Sequence, residues 1–238
     1  MIKPRMKSLL RPVARRFKRF LRPPLHRPKD GFQFRVLGTE YGAWPVLDES
    51  LTSESIVYSF GVGHDISFDL AVMNEFGCKI YAFDPTPRCI AWLTQQELPD
   101  GFNFHELGLS DRKQVLSFSA PPKDGFVSYT IAERSDSPEV VQLPVEPLDM
   151  IVDRLGHRRI DFLKMDIEGS EYAAVVDMIT KKILPDQLCI EFHHRMFGYT
   201  DEDTQKTVAL LQRAGYVLHY VSLSGREYGF HLGAKPSR

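Results

Sequence analysis

The chain has 238 residues, 43% of them hydrophobic and 26% charged, enough apolar material for one packed domain and too much for a globally disordered chain. No stretch approaches the ~18 consecutive apolar residues of a membrane span. Cys78, Cys89 and Cys189 lack metal-type spacing and make an odd count, which argues against a zinc site or a disulfide framework and for a reducing compartment. The formal net charge of −1 conceals a division: residues 1–29 hold eleven of the thirty Lys and Arg and no acid, leaving 19 basic against 31 acidic residues beyond them, a net of −12. An acidic globule of that charge is a poor general binder of nucleic acid.

The basic tail comes first. On a helical projection Leu9, Leu10, Val13, Phe17, Phe20 and Leu21 share one face, while Arg11, Arg15, Arg16, Lys18, Arg19 and Arg22 share the other. Pro12 falls early on the polar side, and Pro23-Pro24 ends the pattern. Residues 8–22 therefore read as a basic amphipathic helix suited to an anionic membrane surface, where each Lys or Arg contributes roughly 1 kcal/mol. A flexible basic arm and an organellar transit peptide are the other readings. The scarcity of Ser and Thr before Thr39 weighs against the second. The expected location is cytoplasmic, peripheral on a membrane.

Residues 30–55 form a lead-in rich in aromatic and turn residues, including Phe32, Phe34 and Tyr41-Gly42-Ala43-Trp44-Pro45. From 56 to 238 the chain alternates short apolar runs with helical patterns, the signature of a parallel α/β domain. Strands are predicted at Ile56–Phe60, Lys79–Phe83, Asn103–Leu107, Ile160–Met165 and Leu188–Phe192. Helices are predicted at Ile66–Glu75, Pro87–Gln96, Leu148–Leu155, Glu171–Ile179 and Asp201–Ala214. Extended segments at Val115–Ser119 and Val140–Val145 flank a polar stretch. Val217–Leu223 and Glu227–Leu232 read as a hairpin around Ser224-Gly225-Arg226.

The first strand runs into Gly61-Val62-Gly63, and glycines there let the backbone turn sharply and approach a cofactor. Ile66 occupies the place of the third glycine in the dinucleotide pattern, so the full fingerprint is absent. Asp84 ends the second strand, twenty-one residues after Gly63, where a carboxylate accepts from ribose hydroxyls. A plain Asp84-Pro85 turn is the alternative. Ser110 and Asp111 follow the third strand, at the edge where an adenine would lie.

The run Leu163-Lys164-Met165-Asp166-Ile167-Glu168-Gly169-Ser170-Glu171 delivers Asp166 and Glu168 to the C-terminal end of a buried strand. The neighbouring strand carries Glu191 and His193 on one face. Histidine is the natural general base near neutral pH, so His193 is the candidate base, with Asp166 or Glu191 orienting it. The same oxygen and nitrogen ligands suit a divalent cation, and the sequence does not decide between the two.

These motifs resemble the FkbM family of S-adenosylmethionine-dependent methyltransferases, in the branch with a Tyr-Gly-Xaa-Trp lead-in. The likeness rests on Tyr58–Gly63, Ala82–Pro85, Pro147-Leu148-Asp149 and the DxEGxE pattern ending at Glu171, and it spans residues 36–232. It implies a Rossmann-like class I methyltransferase fold, an α/β architecture with a mostly parallel seven-stranded sheet ending in an antiparallel hairpin. It also implies that Gly61 and Gly63 pack under the methionine half of S-adenosylmethionine, with Asp84 on the ribose. Ser59 stands where many class I enzymes carry an acid, so the methionyl amine must be met elsewhere, by Asp166, Glu40 or the Tyr41–Trp44 segment. The implied reaction is O-methylation of a small molecule or glycan.

Two other readings compete. A nicotinamide-dependent oxidoreductase shares the glycine turn and the acidic ribose partner, but the missing third glycine, the DxEGxE strand end and the terminal hairpin oppose it. A catalytically silent, membrane-recruited module of the same fold is favoured by Ser59. For the acceptor pocket the sequence offers residues 121–138, the segment after His194, and Arg195, Arg134 and Arg158 as partners for acidic groups. The bland alternative for these arginines is solvated surface charge.

Overall fold

The computed structural model describes residues 25–48, 50–119 and 140–233. The expected helix at 8–22, the stretch 120–139 and Arg134 lie outside these residues.

Apolar runs of four or five residues pair into a seven-stranded sheet. In chain order its strands are β3 (Ile56–Phe60), β4 (Lys79–Phe83), β5 (Phe102–His105), β9 (Phe162–Met165), β10 (Gln187–Glu191), β11 (Tyr216–Val221) and β12 (Glu227–Leu232), and across the sheet they stand in the order β11-β12-β10-β9-β3-β4-β5. The β5-β4-β3-β9-β10 ladder is parallel. Strand β12 pairs antiparallel with both β10 and β11, closing one edge with the expected hairpin.

Side-chain alternation distributes the core between two faces. Tyr58, Phe60, Leu163, Met165, Leu188 and Ile190 share one buried cluster with Ile151 of α3 (Leu148–Leu155), Val175 and Met178 of α4 (Glu171–Thr180), and Val208 and Leu211 of α5 (Asp201–Arg213). Val57, Ile80, Ala82, Phe162 and Cys189 share the other with Phe68 and Val72 of α1 (Ser67–Phe76) and Cys89 and Leu93 of α2 (Pro87–Leu93). Each large apolar side chain so buried contributes ~1.5–3 kcal/mol. Cys78, Cys89 and Cys189 are buried free thiols.

The lead-in departs from the expected turn-rich segment. It contains an antiparallel hairpin, β1 (Phe34–Leu37) with β2 (Trp44–Leu47), and Trp44 and Val46 join the second core cluster. Leu47 N–H donates to Gln187 Oε1 at 2.9 Å, and Cys189 Sγ–H to the Pro45 carbonyl at 3.4 Å. A separate three-stranded sheet forms from β6 (Gly108–Leu109), β7 (Gln114–Ser119) and β8 (Val140–Glu146), in the order β6-β8-β7. Several predicted elements end earlier than expected: α2 stops at Leu93, β5 starts at Phe102 and stops at His105, and β11 stops at Val221.

Candidate functional site

Strand order reverses at β3, whose neighbours β4 and β9 lead away in opposite directions. Ligands of open α/β sheets bind outside the carboxyl ends of strands at such a point. A cleft lies there, lined by residues from the ends of β3, β4 and β9 and from the small sheet.

Its floor is the glycine turn. Gly61 and Gly63 both take positive φ, 79° and 60°, a conformation that a side chain disfavours. A Cβ on Gly61 would stand 1.7 Å from the Asp166 carbonyl oxygen, so only glycine fits. Lys164, the lone charge in an apolar strand, holds this turn from beneath. Its ammonium donates to the Gly61 carbonyl at 2.7 Å and lies 5.5 Å from the Trp44 ring centroid. Ser59 is Lys164's register partner across β3 and β9. Asp69 of α1 is buried on the same side. Burial raises its pKa, against the pull of Lys164 and Ser59.

On the β4 side, Asp84 is buried and lines the cleft. Its Oδ2 accepts from Gly63 N–H at 2.9 Å, while Oδ1 accepts from Thr86 N–H at 2.9 Å and Thr86 Oγ1–H at 2.6 Å. Asp84 thus organises the Asp-Pro turn and ties that turn to the glycine loop while facing the cleft. Gly108 and Leu109 line the cleft beyond it. Ser110 and Asp111, expected at the adenine edge, are not among the lining residues. Ser110 N–H donates to the Glu146 carbonyl at 3.0 Å, and the Asp111 carboxylate is taken by Arg112 at 2.9 Å.

At the β9 end Asp166 and Glu168 line the cleft, and Glu168 is held at φ 51° in the turn before Gly169, a conformation costing a non-glycine residue ~1 kcal/mol or more. His193, just beyond β10, is buried. Its Nε2 lies 3.3 Å from Glu168 Oε2, 3.7 Å from Asp166 Oδ1 and 4.0 Å from Glu191 Oε1. The ring is oriented by Glu171, and not by Asp166 or Glu191 as expected. Glu171 is wholly buried in the first turn of α4, and its Oε1 accepts from both His193 Nδ1–H (3.1 Å) and His193 N–H (2.8 Å). Glu171 Oε2 accepts from Gly169 N–H at 2.8 Å.

Burial alone would lower the His193 pKa, but Glu171, Glu168 and Asp166 outweigh it and lift the imidazole to about 9. Burial and the Asp166 charge push the Glu191 carboxyl well above the usual carboxylate range, against the pull of Arg226 and His193. Arg226 Nη2 contacts Glu191 Oε1 at 2.9 Å. With its proton in place, His193 is a cation among carboxylates and donates hydrogen bonds, so the role of base that the sequence suggests requires that proton to leave first.

Tyr41 lines the cleft mouth; Glu40 does not. The turn carrying Tyr41 is pinned by Asp65, which accepts from Thr39 Oγ1–H at 2.5 Å and from Ser67 N–H at 2.8 Å. Arg195 pairs with Asp201 at 2.6 Å. Arg158 is exposed before β9, at the opposite end of that strand from the cleft. The surface-charge reading fits both.

The family profile of the Methyltransferase FkbM domain matches residues 49–218. The chain belongs to the FkbM methyltransferase family. The seven-stranded order, with β12 antiparallel between β10 and β11, is the class I arrangement that the resemblance implied. Relatives among curated proteins include "Probable methyltransferase-like protein 24" of Rattus norvegicus, 25% identical over 66% of this chain and 38% of that protein. Its Homo sapiens counterpart is 24% identical over 64% of this chain and 36% of the relative. The chain thus spans well under half the length of these relatives. Among solved structures, Methyltransferase FkbM from Methylobacillus flagellatus aligns with a TM-score of 0.47 and 16% identity over 76% of this chain and 44% of the other. Aeropyrum pernix fibrillarin, with natively bound S-adenosyl-L-methionine, aligns at 0.39 and 11% over 87% and 85%.

Proposed function

We propose that this FkbM chain transfers a methyl group from S-adenosylmethionine to a hydroxyl of a small molecule or glycan. The observation that carries this reading is the cleft at the β3 switch point. It has a floor on which no Cβ fits at Gly61, a carboxylate at Asp84 on one flank, and Asp166 and Glu168 on the other, with His193 and Glu191 next to them. These residues fit the cofactor. The Gly61–Gly63 backbone would lie beneath it, Asp84 would accept from the ribose, and Asp166 and Tyr41, which line the cleft, would meet the methionyl end.

When bound, S-adenosylmethionine supplies a methyl group on an already good leaving group, so the protein's task is mainly proximity and alignment. The residues of the chain would orient the acceptor, and His193 with its carboxylates would assist the loss of the acceptor's proton. The test is turnover with methyl-labelled S-adenosylmethionine over a panel of polyhydroxylated acceptors, with products read by mass spectrometry. O-methyl products that disappear in His193→Ala, a variant still binding cofactor, support the reading. Full turnover in that variant removes His193 from the mechanism, and a chain that binds cofactor but methylates no hydroxyl favours the silent-module alternative.

We further propose that residues 8–22 dock the chain peripherally on an anionic membrane at the cytoplasmic side. The support is the eleven Lys and Arg without any acid in residues 1–29, beside a remainder of net charge −12. Sedimentation with vesicles containing phosphatidylserine, lost at high salt and on Arg15, Arg16 and Arg19→Ala substitution, is expected. Equal binding to neutral vesicles would contradict it.

A further inference from the structure

Asp166, Glu168, Glu171 and Glu191 bring four carboxylates around the His193 ring, and Arg226 contacts Glu191. Among the described residues Asp166 Oδ1 is buried without a hydrogen-bond partner, although it lies 3.7 Å from His193 Nε2. A carboxylate oxygen held out of water in that way is costly unless a cation joins it.

We infer that Asp166, Glu191 and His193 form a binding site for one divalent cation of the oxygen-preferring class, Mg2+ or Mn2+. One ligand atom from each of the three lies within 4.8 Å of the others. Mg2+–oxygen bonds of about 2.0–2.1 Å put adjacent ligands about 2.8–3.0 Å apart and opposite ones about 4.0–4.2 Å apart. From His193 Nε2 the spacings of 3.7 Å to Asp166 and 4.0 Å to Glu191 reach the adjacent range with side-chain adjustment of about 1 Å or less.

The surroundings match those of a metal-bound histidine. Such a ring donates its second N–H to a carboxylate, which fixes the tautomer and directs the other nitrogen at the ion. Glu171 does this here: Oε1 takes Nδ1–H, and the carboxylate is itself fixed by Gly169 N–H and His193 N–H. Nε2 is thereby aimed at Asp166, Glu168 and Glu191. One imidazole among carboxylates suits Mn2+ and Mg2+ better than soft-ligand metals. The cleft side of Asp166 leaves room for an acceptor hydroxyl to complete the coordination. A hydroxyl so bound is more acidic, and its proton would pass to solvent, because both His193 ring nitrogens would be engaged, Nδ1 by Glu171 and Nε2 by the ion.

The inference deepens the methyl-transfer reading but is tested apart from it, with metal alone. Metal-stripped full-length chain is titrated with Mn2+ by electron paramagnetic resonance, with Mg2+ as competitor and no nucleotide present. One Mn2+ per chain is expected, weakened at least tenfold in Asp166→Asn and in Glu191→Gln and about tenfold or more in Glu171→Gln, while Glu202→Gln on the surface changes nothing. Melting curves check folding. Asp166→Asn is expected to melt no lower than wild type without metal, because it removes like-charge repulsion, yet to lose the Mn2+-induced rise. Absence of stoichiometric Mn2+ binding to the folded wild type, or binding unchanged by Asp166→Asn and Glu191→Gln, overturns the site. S-adenosylhomocysteine binding, measured separately, reports on the cofactor reading whichever result is obtained.

Discussion

Gly61 and Asp166 touch through their backbones: the carbonyl oxygen of Asp166 occupies the place where a side chain on Gly61 would begin. That contact joins the glycine turn after β3 to the carboxylate-bearing turn after β9, and Lys164 reinforces it by holding the Gly61 carbonyl from below. The binding floor and the chemistry end of the cleft are therefore one rigid unit, so a change at Gly61 is felt at Asp166.

Gly61→Ala is expected to destabilise the fold by ~3 kcal/mol or more, because it adds a backbone overlap to a positive φ. It should also weaken S-adenosylhomocysteine binding by at least tenfold. Gly156→Ala is the control. Gly156 also takes positive φ, 70°, but a Cβ there meets nothing within 4 Å, so only ~1 kcal/mol should be lost and binding should be unchanged. Chemical denaturation and calorimetry read both.

Glu171 bonds three N–H groups from full burial. Glu171→Ala is expected to cost ~3 kcal/mol, seen as a fall in Tm of about 6–12 °C. Glu171→Gln keeps a carbonyl acceptor and should lose less. Equal Tm values for wild type and Glu171→Ala would contradict the role given to this residue.

His219 of β11 predicts acid lability. It is buried under Phe32 and Phe34, with its ring centroid 5.8 Å from that of His231 and neither of its nitrogens hydrogen-bonded among the described residues. Burial, then the His231 neighbour, depress its pKa to about 4, and His231 is itself lowered by burial and, to a smaller degree, by Lys29. Because the folded pKa lies below the unfolded value of about 6.5, the unfolded chain binds more protons between the two. Stability is then full above pH 6.5 and falls as pH drops towards 4, by ~1–3 kcal/mol from this residue. Denaturation from pH 7 to 4.5 should show that slope, and His219→Leu should flatten it. An unchanged slope would contradict the assignment.

The parts of the site legible in the sequence are those set by strand ends. Gly61, Gly63, Asp84 and Asp166 follow short apolar runs, and a parallel sheet brings such positions to one edge. Less was legible where partners meet only through pairing. Glu171 lies twenty-two residues before His193 and reaches it because β9 and β10 are neighbours. Lys164 carried a signal as the lone charge in a buried strand, but its partner is a backbone carbonyl, which no residue letter reveals. The β1–β2 hairpin was hidden by its short strands and by Pro45, which reads as a breaker. Pro45 is tolerated because its missing N–H falls at a position where its carbonyl makes the contact, to Cys189. Ser110 and Asp111 follow the expected turn, but pairing of β6 with β8 presents Gly108 and Leu109 to the cleft instead.

The most direct test of the account is calorimetric titration of the wild-type chain and Asp84→Ala with S-adenosylhomocysteine, with NAD as comparator. The account predicts one site for the sulfur nucleotide, weakened at least tenfold in Asp84→Ala because the carboxylate both faces the cleft and fixes the Gly63 turn, and no response to NAD. Failure of the folded wild-type chain to bind S-adenosylhomocysteine, or binding of NAD in its place, would contradict it.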